Sequence, residues 1–288
     1  MKIIKNCDMG KYTSFKTGGK AHAMIIPKDM DELRRALSAL SKSKMRYMVM
    51  GNGTNILVRD SGYYGCIIKM AEAFSQIVAD GDMLTAGAGA ATSAVSAAAM
   101  EAGLSGFEFA SGIPGSMGGA VCMNAGAYGG EMKSVVGSVN VLSKDGANEY
   151  IMGADDLKYA YRHSALMETG DIVTGVTLKL KKGDKEEIKE KMREYTELRN
   201  EKQPVSMPSA GSFFKRPEGH FAGKLIQDCG LMGLSVGGAM VSDVHAGFIV
   251  NSGNATATDI VDLMELVRRL VYDKFEVSLE PEVRIIGD

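Results

Sequence analysis

Gly112-Ile-Pro-Gly-Ser-Met-Gly-Gly-Ala-Val-Cys-Met-Asn-Ala-Gly-Ala-Tyr-Gly-Gly-Glu131 is the stretch on which the fold assignment turns. Glycine fills seven of its twenty positions. Glycine loses more backbone entropy on folding than any other residue, so a chain that concentrates it needs positive φ or a very close approach of main chain. The hydrogen-bonding side chains kept are Ser116, Asn124 and Tyr128. Two readings stand side by side. The segment lays backbone N–H groups against an anionic phosphate chain, or it is a series of tight turns between strands.

Upstream lies a second glycine loop. Ala21-His-Ala-Met-Ile-Ile-Pro27 alternates like a strand, Asp29 is placed to cap a helix carrying Leu33, Ala36, Leu37 and Leu40, and Tyr47-Met-Val-Met50 is a short buried strand. This β-α-β opening runs into Gly51-Asn-Gly-Thr-Asn55. A strand ending in Gly-x-Gly offers backbone donors where ligands collect in α/β folds. It lacks the third glycine and opening helix of a dinucleotide fingerprint, and no Gly-Lys-Ser/Thr follows as in a P-loop. Asn52 and Asn55 read equally well as turn residues.

Strands follow at 65–70, 76–79 and 83–88, then a small-residue helix from Thr92 to Ala102 closed by Gly103. Ser138–Leu142 and Glu149–Ile151 read as a hairpin, Ile172–Leu180 as a strand and Ile188–Arg199 as a charged helix. The polar break Lys181-Lys-Gly-Asp184 is the expected domain boundary. Beyond it come a helix ended by Gly230, two short strands within 237–251, a helix capped by Thr256 or Thr258 with Ile260, Leu263, Val267 and Leu270 on its core face, and a last strand at 280–286.

The bulk numbers exclude several classes. A chain of 288 residues buries a full core and holds two or three domains. Net charge of −2 gives no general attraction to nucleic acid or anionic membrane. The weakly polar run from Met83 to Met100 carries too little apolar surface to span a bilayer, and Met1-Lys-Ile-Ile-Lys5 turns polar at once, so no signal peptide is visible. Cys7, Cys66, Cys122 and Cys229 lie far apart with no metal spacing, as expected of free cytosolic thiols. A cytoplasmic protein without a bound metal, monomeric or weakly oligomeric, is expected.

Six motifs occur in order: Gly51-x-Gly-x-Asn55, Gly112-Ile-Pro-Gly-Ser116, Asn124-Ala-Gly-Ala-Tyr-Gly129, Tyr161-Arg-x-Ser164, Ala210-Gly-Ser-Phe-Phe-Lys215 and Pro281-Glu-Val-Arg284. With these the chain resembles the UDP-N-acetylenolpyruvoylglucosamine reductase family, from about Tyr12 to Gly287. The resemblance implies an α+β protein: an FAD-binding unit of the vanillyl-alcohol-oxidase type in two subdomains, residues 1–70 and 71–182, and a C-terminal α+β substrate-binding domain, residues 183–288. No extra segment separates Ser164 from the strand at Ile172, which matches the shorter type of the family, without the added tyrosine loop.

The resemblance also implies the chemistry. NADPH gives hydride to non-covalent FAD, and reduced flavin passes hydride to the methylene carbon of the enolpyruvyl group of UDP-N-acetylglucosamine enolpyruvate. UDP-N-acetylmuramate for peptidoglycan results. FAD contacts are implied at Gly51, Asn52, Gly53, Thr54, Asn55, Ser111, Gly112, Ile113, Pro114, Ser116, Gly119, Asn124, Ala125 and Gly126. Arg162 would polarise the carboxylate, Ser212 would deliver the proton and Glu282 would be their acidic partner. Tyr128, Lys202, Lys215, Arg216 and Arg284 would contact substrate, whose diphosphate and carboxylate call for cations. Taken alone, Arg162 reads as a surface ion pair, Ser212 as a turn hydroxyl and Glu282 as a solvent-facing strand carboxylate. His163, beside Arg162, reads as structural, and His220 and His245 carry no assignment. Another flavin oxidase and a catalytically silent flavin-binding sensor are the competing functions.

Overall fold

The computed structural model describes residues 1–288. The chain folds as two compact units, one of residues 1–4, 23–52 and 65–198, the other of residues 5–22, 53–64 and 199–288. Its helices are α1 (Met30–Lys42), α2 (Thr92–Glu101), α3 (Met117–Cys122), α4 (Leu166–Thr169), α5 (Lys185–Lys202), α6 (Ala222–Asp228) and α7 (Ala257–Phe275). One four-stranded sheet runs in the order 2–8, 20–26, 63–69, 47–50.

In the first unit, α1 starts where Asp29 accepts a hydrogen bond from the Glu32 amide at 2.7 Å, satisfying a donor that has no intrahelical partner. Its apolar stripe, Leu33, Ala36, Leu37 and Leu40, is buried as the spacing predicts. An antiparallel five-stranded sheet follows, in the order Glu149–Gly153, Val136–Leu142, Ile172–Lys179, Met83–Gly87, Ile77–Asp80. Register places Val139, Val176, Ala86 and Ile77 in one row across it, the first three buried. Helix α2 closes with Ala102 and then Gly103 at φ +65°, a left-handed stop that glycine adopts without steric penalty.

Two local features depart from the sequence reading. The glycine stretch contains a helix, α3, despite Gly118 and Gly119. A Cβ at Gly118 would stand 3.0 Å from the Ala88 side chain, so the small residue lets α3 lie against the end of strand Met83–Gly87. Downstream, Gly126 pairs with Glu131 and Ala127 with Gly130, and Tyr128 and Gly129 make the turn with φ of +50° and +81°. Positive φ at both central residues is the type I′ signature. Helix α5 begins at Lys185, earlier than its apolar pattern showed, because Asp184 accepts from the amides of Glu186 and Glu187.

The second unit packs α6 and α7 on a sheet ordered Ser209–Ser212, Phe248–Asn251, Ala239–Val241, Ser235–Val236. Strand Arg284–Ile286 pairs in parallel with Ile56–Val58. Phe15, Leu57, Phe213, Ile260, Leu263 and Val267 are fully buried in this unit's core. A complete capping box opens α7: Thr256 accepts from the Asp259 amide, and Asp259 returns a bond to the Thr256 amide. Burial opposes ionisation of Asp60, but bonds from the Thr258 hydroxyl and the Thr258 and Ala257 amides hold its pKa below the usual carboxylate range. Thr256→Ala is expected to cost about 1 kcal/mol, seen as a lower thermal midpoint with unchanged flavin content; an unchanged midpoint would mean that the Asp60 bonds suffice.

Candidate active site

Gly51 ends the strand Tyr47–Met50 in contact with Ser116. A Cβ built on Gly51 would lie 1.9 Å from Ser116 Oγ, so any side chain here would collide with a residue that is itself buried. Asn52 Nδ2 donates to the Gly115 carbonyl at 3.0 Å. That carbonyl also accepts from the amide of Thr92, the first residue of α2, and the Thr92 hydroxyl donates to the Ile113 carbonyl. The two glycine loops are thus tied through one carbonyl, and Asn52 acts as more than a turn residue.

Lys69 is the residue the sequence reading missed. Its Nζ donates to the Gly51 carbonyl at 2.9 Å. Burial lowers its pKa from the ordinary lysine value. The available signal was a cation ending the otherwise buried run Cys66-Ile-Ile68. Lys69→Met keeps the stem's length but frees the carbonyl. It is expected to weaken FAD retention by roughly 5–30-fold while leaving the melting temperature close to wild type, since the desolvation cost of a half-buried charge also disappears; unaltered retention would assign the bond no part in holding the loop.

The residues of this region fit a flavin nucleotide. Ser111 Oγ is buried with no partner within the protein, as expected of a hydroxyl meant for a ligand. Gly51 and Gly118 leave no room for side chains where main chain must be approached closely. Asn124, an expected flavin contact, has its side-chain amide fully engaged by protein groups. It is buried, both its Nδ2 protons go to protein acceptors, Glu131 Oε2 at 2.7 Å and the Ala160 carbonyl at 3.1 Å, and its Oδ1 accepts from the Lys133 amide.

Arg162 stands at the tip of a tight turn closed by reciprocal bonds between Ala160 and His163. Its φ is +55°, a conformation unusual for a residue with a side chain. Its guanidinium carbon lies 5.2 Å from the Tyr161 ring centroid. His163 Nε2 lies 3.2 Å from Glu168, an exposed surface pair in keeping with a structural residue. Tyr128 stacks on Tyr195 of α5, with centroids 4.5 Å apart and planes 6° from parallel.

The second unit gathers Ser212, Lys215, Glu282, Arg284 and Asn55. Gly211, at φ +79°, turns the chain within strand Ser209–Ser212, where the pairing register shifts. Ser212 follows, exposed, ahead of the fully buried Phe213. The Phe213 carbonyl accepts from the Glu282 amide at 2.8 Å, and the Lys215 amide donates to the Glu280 carbonyl, so the serine and glutamate segments run side by side. Asn55 Nδ2 donates to the Glu282 carbonyl at 3.1 Å, and the Asn55 carbonyl accepts from the Arg284 amide. The Lys215 ammonium pairs with Glu280. Arg216 lies 4.5 Å from the Phe221 ring centroid, and Lys202 is an exposed residue at the end of α5. Arg162 belongs to the other unit. No group of three or more His, Cys, Asp or Glu side chains is placed to hold a metal ion.

Residues 203–286 match the family model described as UDP-N-acetylenolpyruvoylglucosamine reductase, C-terminal domain, and residues 21–148 match an FAD binding domain. A UDP-N-acetylenolpyruvoylglucosamine reductase of Alkaliphilus oremlandii is 51% identical over 286 residues, covering 99% of this chain and 94% of its own. The chain belongs to the UDP-N-acetylenolpyruvoylglucosamine reductase family. A second such reductase, from Caldanaerobacter subterraneus, is 46% identical over 100% of this chain and 94% of its own. The crystal structure of the family member from Thermus caldophilus superposes with a TM-score of 0.85 at 37% identity, covering 99% of this chain and 98% of that one. Membership makes the protein an oxidoreductase with an FAD-binding domain on a mixed α+β fold. No helix is long and apolar enough to cross a membrane.

Proposed function

We propose that this protein reduces the enolpyruvyl ether of UDP-N-acetylglucosamine enolpyruvate to UDP-N-acetylmuramate, with NADPH as reductant, in cytoplasmic peptidoglycan synthesis. The observation that carries this reading is similarity to reductases of that name along essentially the whole chain. Bound FAD supplies the two-electron carrier between reductant and substrate.

The remaining work falls to the chain's own side chains. Negative charge builds on the substrate carboxylate, and Arg162, always protonated and able to offer two parallel N–H donors, stabilises it. Ser212 gives a proton to the carbon next to the one that accepts hydride. A serine hydroxyl is a weak acid, and Lys215, its nearest cation in sequence, is engaged by Glu280. Glu282, on the segment bonded to Phe213, is therefore the group we assign to restore the Ser212 proton. Gly51–Asn55 and Ser111–Ser116 hold the flavin, and Tyr128, Arg216, Lys202 and Arg284 meet the substrate.

The test is NADPH oxidation by the holoenzyme with and without the enolpyruvyl nucleotide sugar, alongside the visible flavin spectrum. Strict dependence on that sugar is expected. Turnover of simple alcohols with O₂ in its place would overturn the reading in favour of an oxidase, and a bound flavin with no turnover at all would favour a sensor.

A further inference from the structure

We infer that Ser164 and Asn124 are positioning residues for Arg162, an assignment that rests on the arginine's role proposed above. A non-glycine residue at φ +55° persists only where its surroundings over-determine it. Here the shoulders of the turn are each bolted to the C-terminal end of α3. On one side, the fully buried Ser164 donates from Oγ to the Cys122 carbonyl at 2.7 Å. That carbonyl belongs to the last turn of a six-residue helix, where carbonyls have no intrahelical partner. On the other side, Asn124 Nδ2 donates to the Ala160 carbonyl at 3.1 Å.

Asn124 is itself fixed. It is 1% exposed, sits at φ +45°, and is held by Glu131 Oε2 and the Lys133 amide. The amide of Ala165 adds a bond to the Leu157 carbonyl at 2.8 Å behind the turn. Residues 122–124, between the flavin loops and the Tyr128 turn, therefore set where Arg162 leaves the backbone. A long side chain amplifies small backbone shifts, and misplacement by about 1 Å is worth roughly 10²-fold in rate. Ser164 thereby acquires a role beyond its place in the Tyr161-Arg-x-Ser164 motif.

The experiment is a double-mutant cycle read in two half-reactions of the holoenzyme, flavin reduction by NADPH and flavin reoxidation by the enolpyruvyl nucleotide sugar. Ser164→Ala is expected to slow reoxidation about 10–100-fold and leave reduction within about twofold, whereas in an Arg162→Lys background the same change costs under about threefold. Equal losses in both backgrounds, or parallel losses in both half-reactions, would overturn the assignment. A damaged Arg162→Lys enzyme beside an unaffected Ser164→Ala enzyme overturns the tether alone. Normal reoxidation in Arg162→Lys overturns the arginine's role and the tether with it. Should Ser164→Ala fail to fold, Ser164→Cys, which keeps the volume and weakens the bond to the Cys122 carbonyl, enters the same cycle with the same expected non-additivity.

Discussion

Ser212→Ala is expected to leave the flavin bound and reducible by NADPH while slowing its reoxidation by the enolpyruvyl nucleotide sugar by about 10²–10⁴-fold, the usual worth of a placed proton donor. The structure makes this a clean experiment. Ser212 is exposed, and packing is carried by its neighbour Phe213, which is fully buried. The backbone turn before it depends on Gly211, and the bond from the Glu282 amide goes to the Phe213 carbonyl. Alanine disturbs none of these, so fold and flavin content stay as controls. Reoxidation near the wild-type rate would remove Ser212 from the proton path and point to Glu282 acting directly. A slowed reoxidation in Glu282→Gln would then assign the proton to that carboxyl.

Gly51→Ala is expected to abolish flavin retention. The new methyl would stand 1.9 Å from Ser116 Oγ and 2.8 Å from Ser116 Cβ. Ser116 is 3% exposed and leads into α3, and its Cβ, which no rotation moves, is itself one of the colliding atoms. The loop must move instead, taking with it the Lys69 bond to the Gly51 carbonyl and the Asn52 bond to Gly115. Overpacking of this kind costs about 1–3 kcal/mol, a fall of several degrees in the thermal midpoint. The larger effect is on FAD, because the displaced main chain is the part proposed to meet it. Flavin content after gel filtration and the midpoint of the purified protein measure both. Ser116→Gly in the same chain removes the colliding atoms and should restore part of the flavin. Wild-type retention in Gly51→Ala alone would place the cofactor away from this loop.

Much of the architecture was legible from short-range chemistry. Asp29 and Thr256 as caps, the apolar stripes of α1 and α7, the strand Ile172–Lys179 and the stop at Gly103 all follow from groups within a few residues of one another. Helix α3 escaped that reading because its reason for existing, Gly118 lying on Ala88, is a contact between segments about thirty residues apart in sequence. The start of α5 escaped it because Asp184 reads as a polar break until its carboxylate is seen holding two amides.

The chain alone determined the family, through six ordered motifs, and with it a fold that binds a flavin. It also marked the stretches where glycine concentrates, whereas contacts such as Gly51 on Ser116 and Gly118 on Ala88 decide which of those glycines are obligatory. Tertiary structure decided the employment of the polar side chains. Asn52 reaches a carbonyl 63 positions away, Asn124 one 36 away and Ser164 one 42 away. An amide or hydroxyl finds its partner only when distant segments have packed, because hydrogen bonds act over about 3 Å and sequence spacing says nothing of that distance.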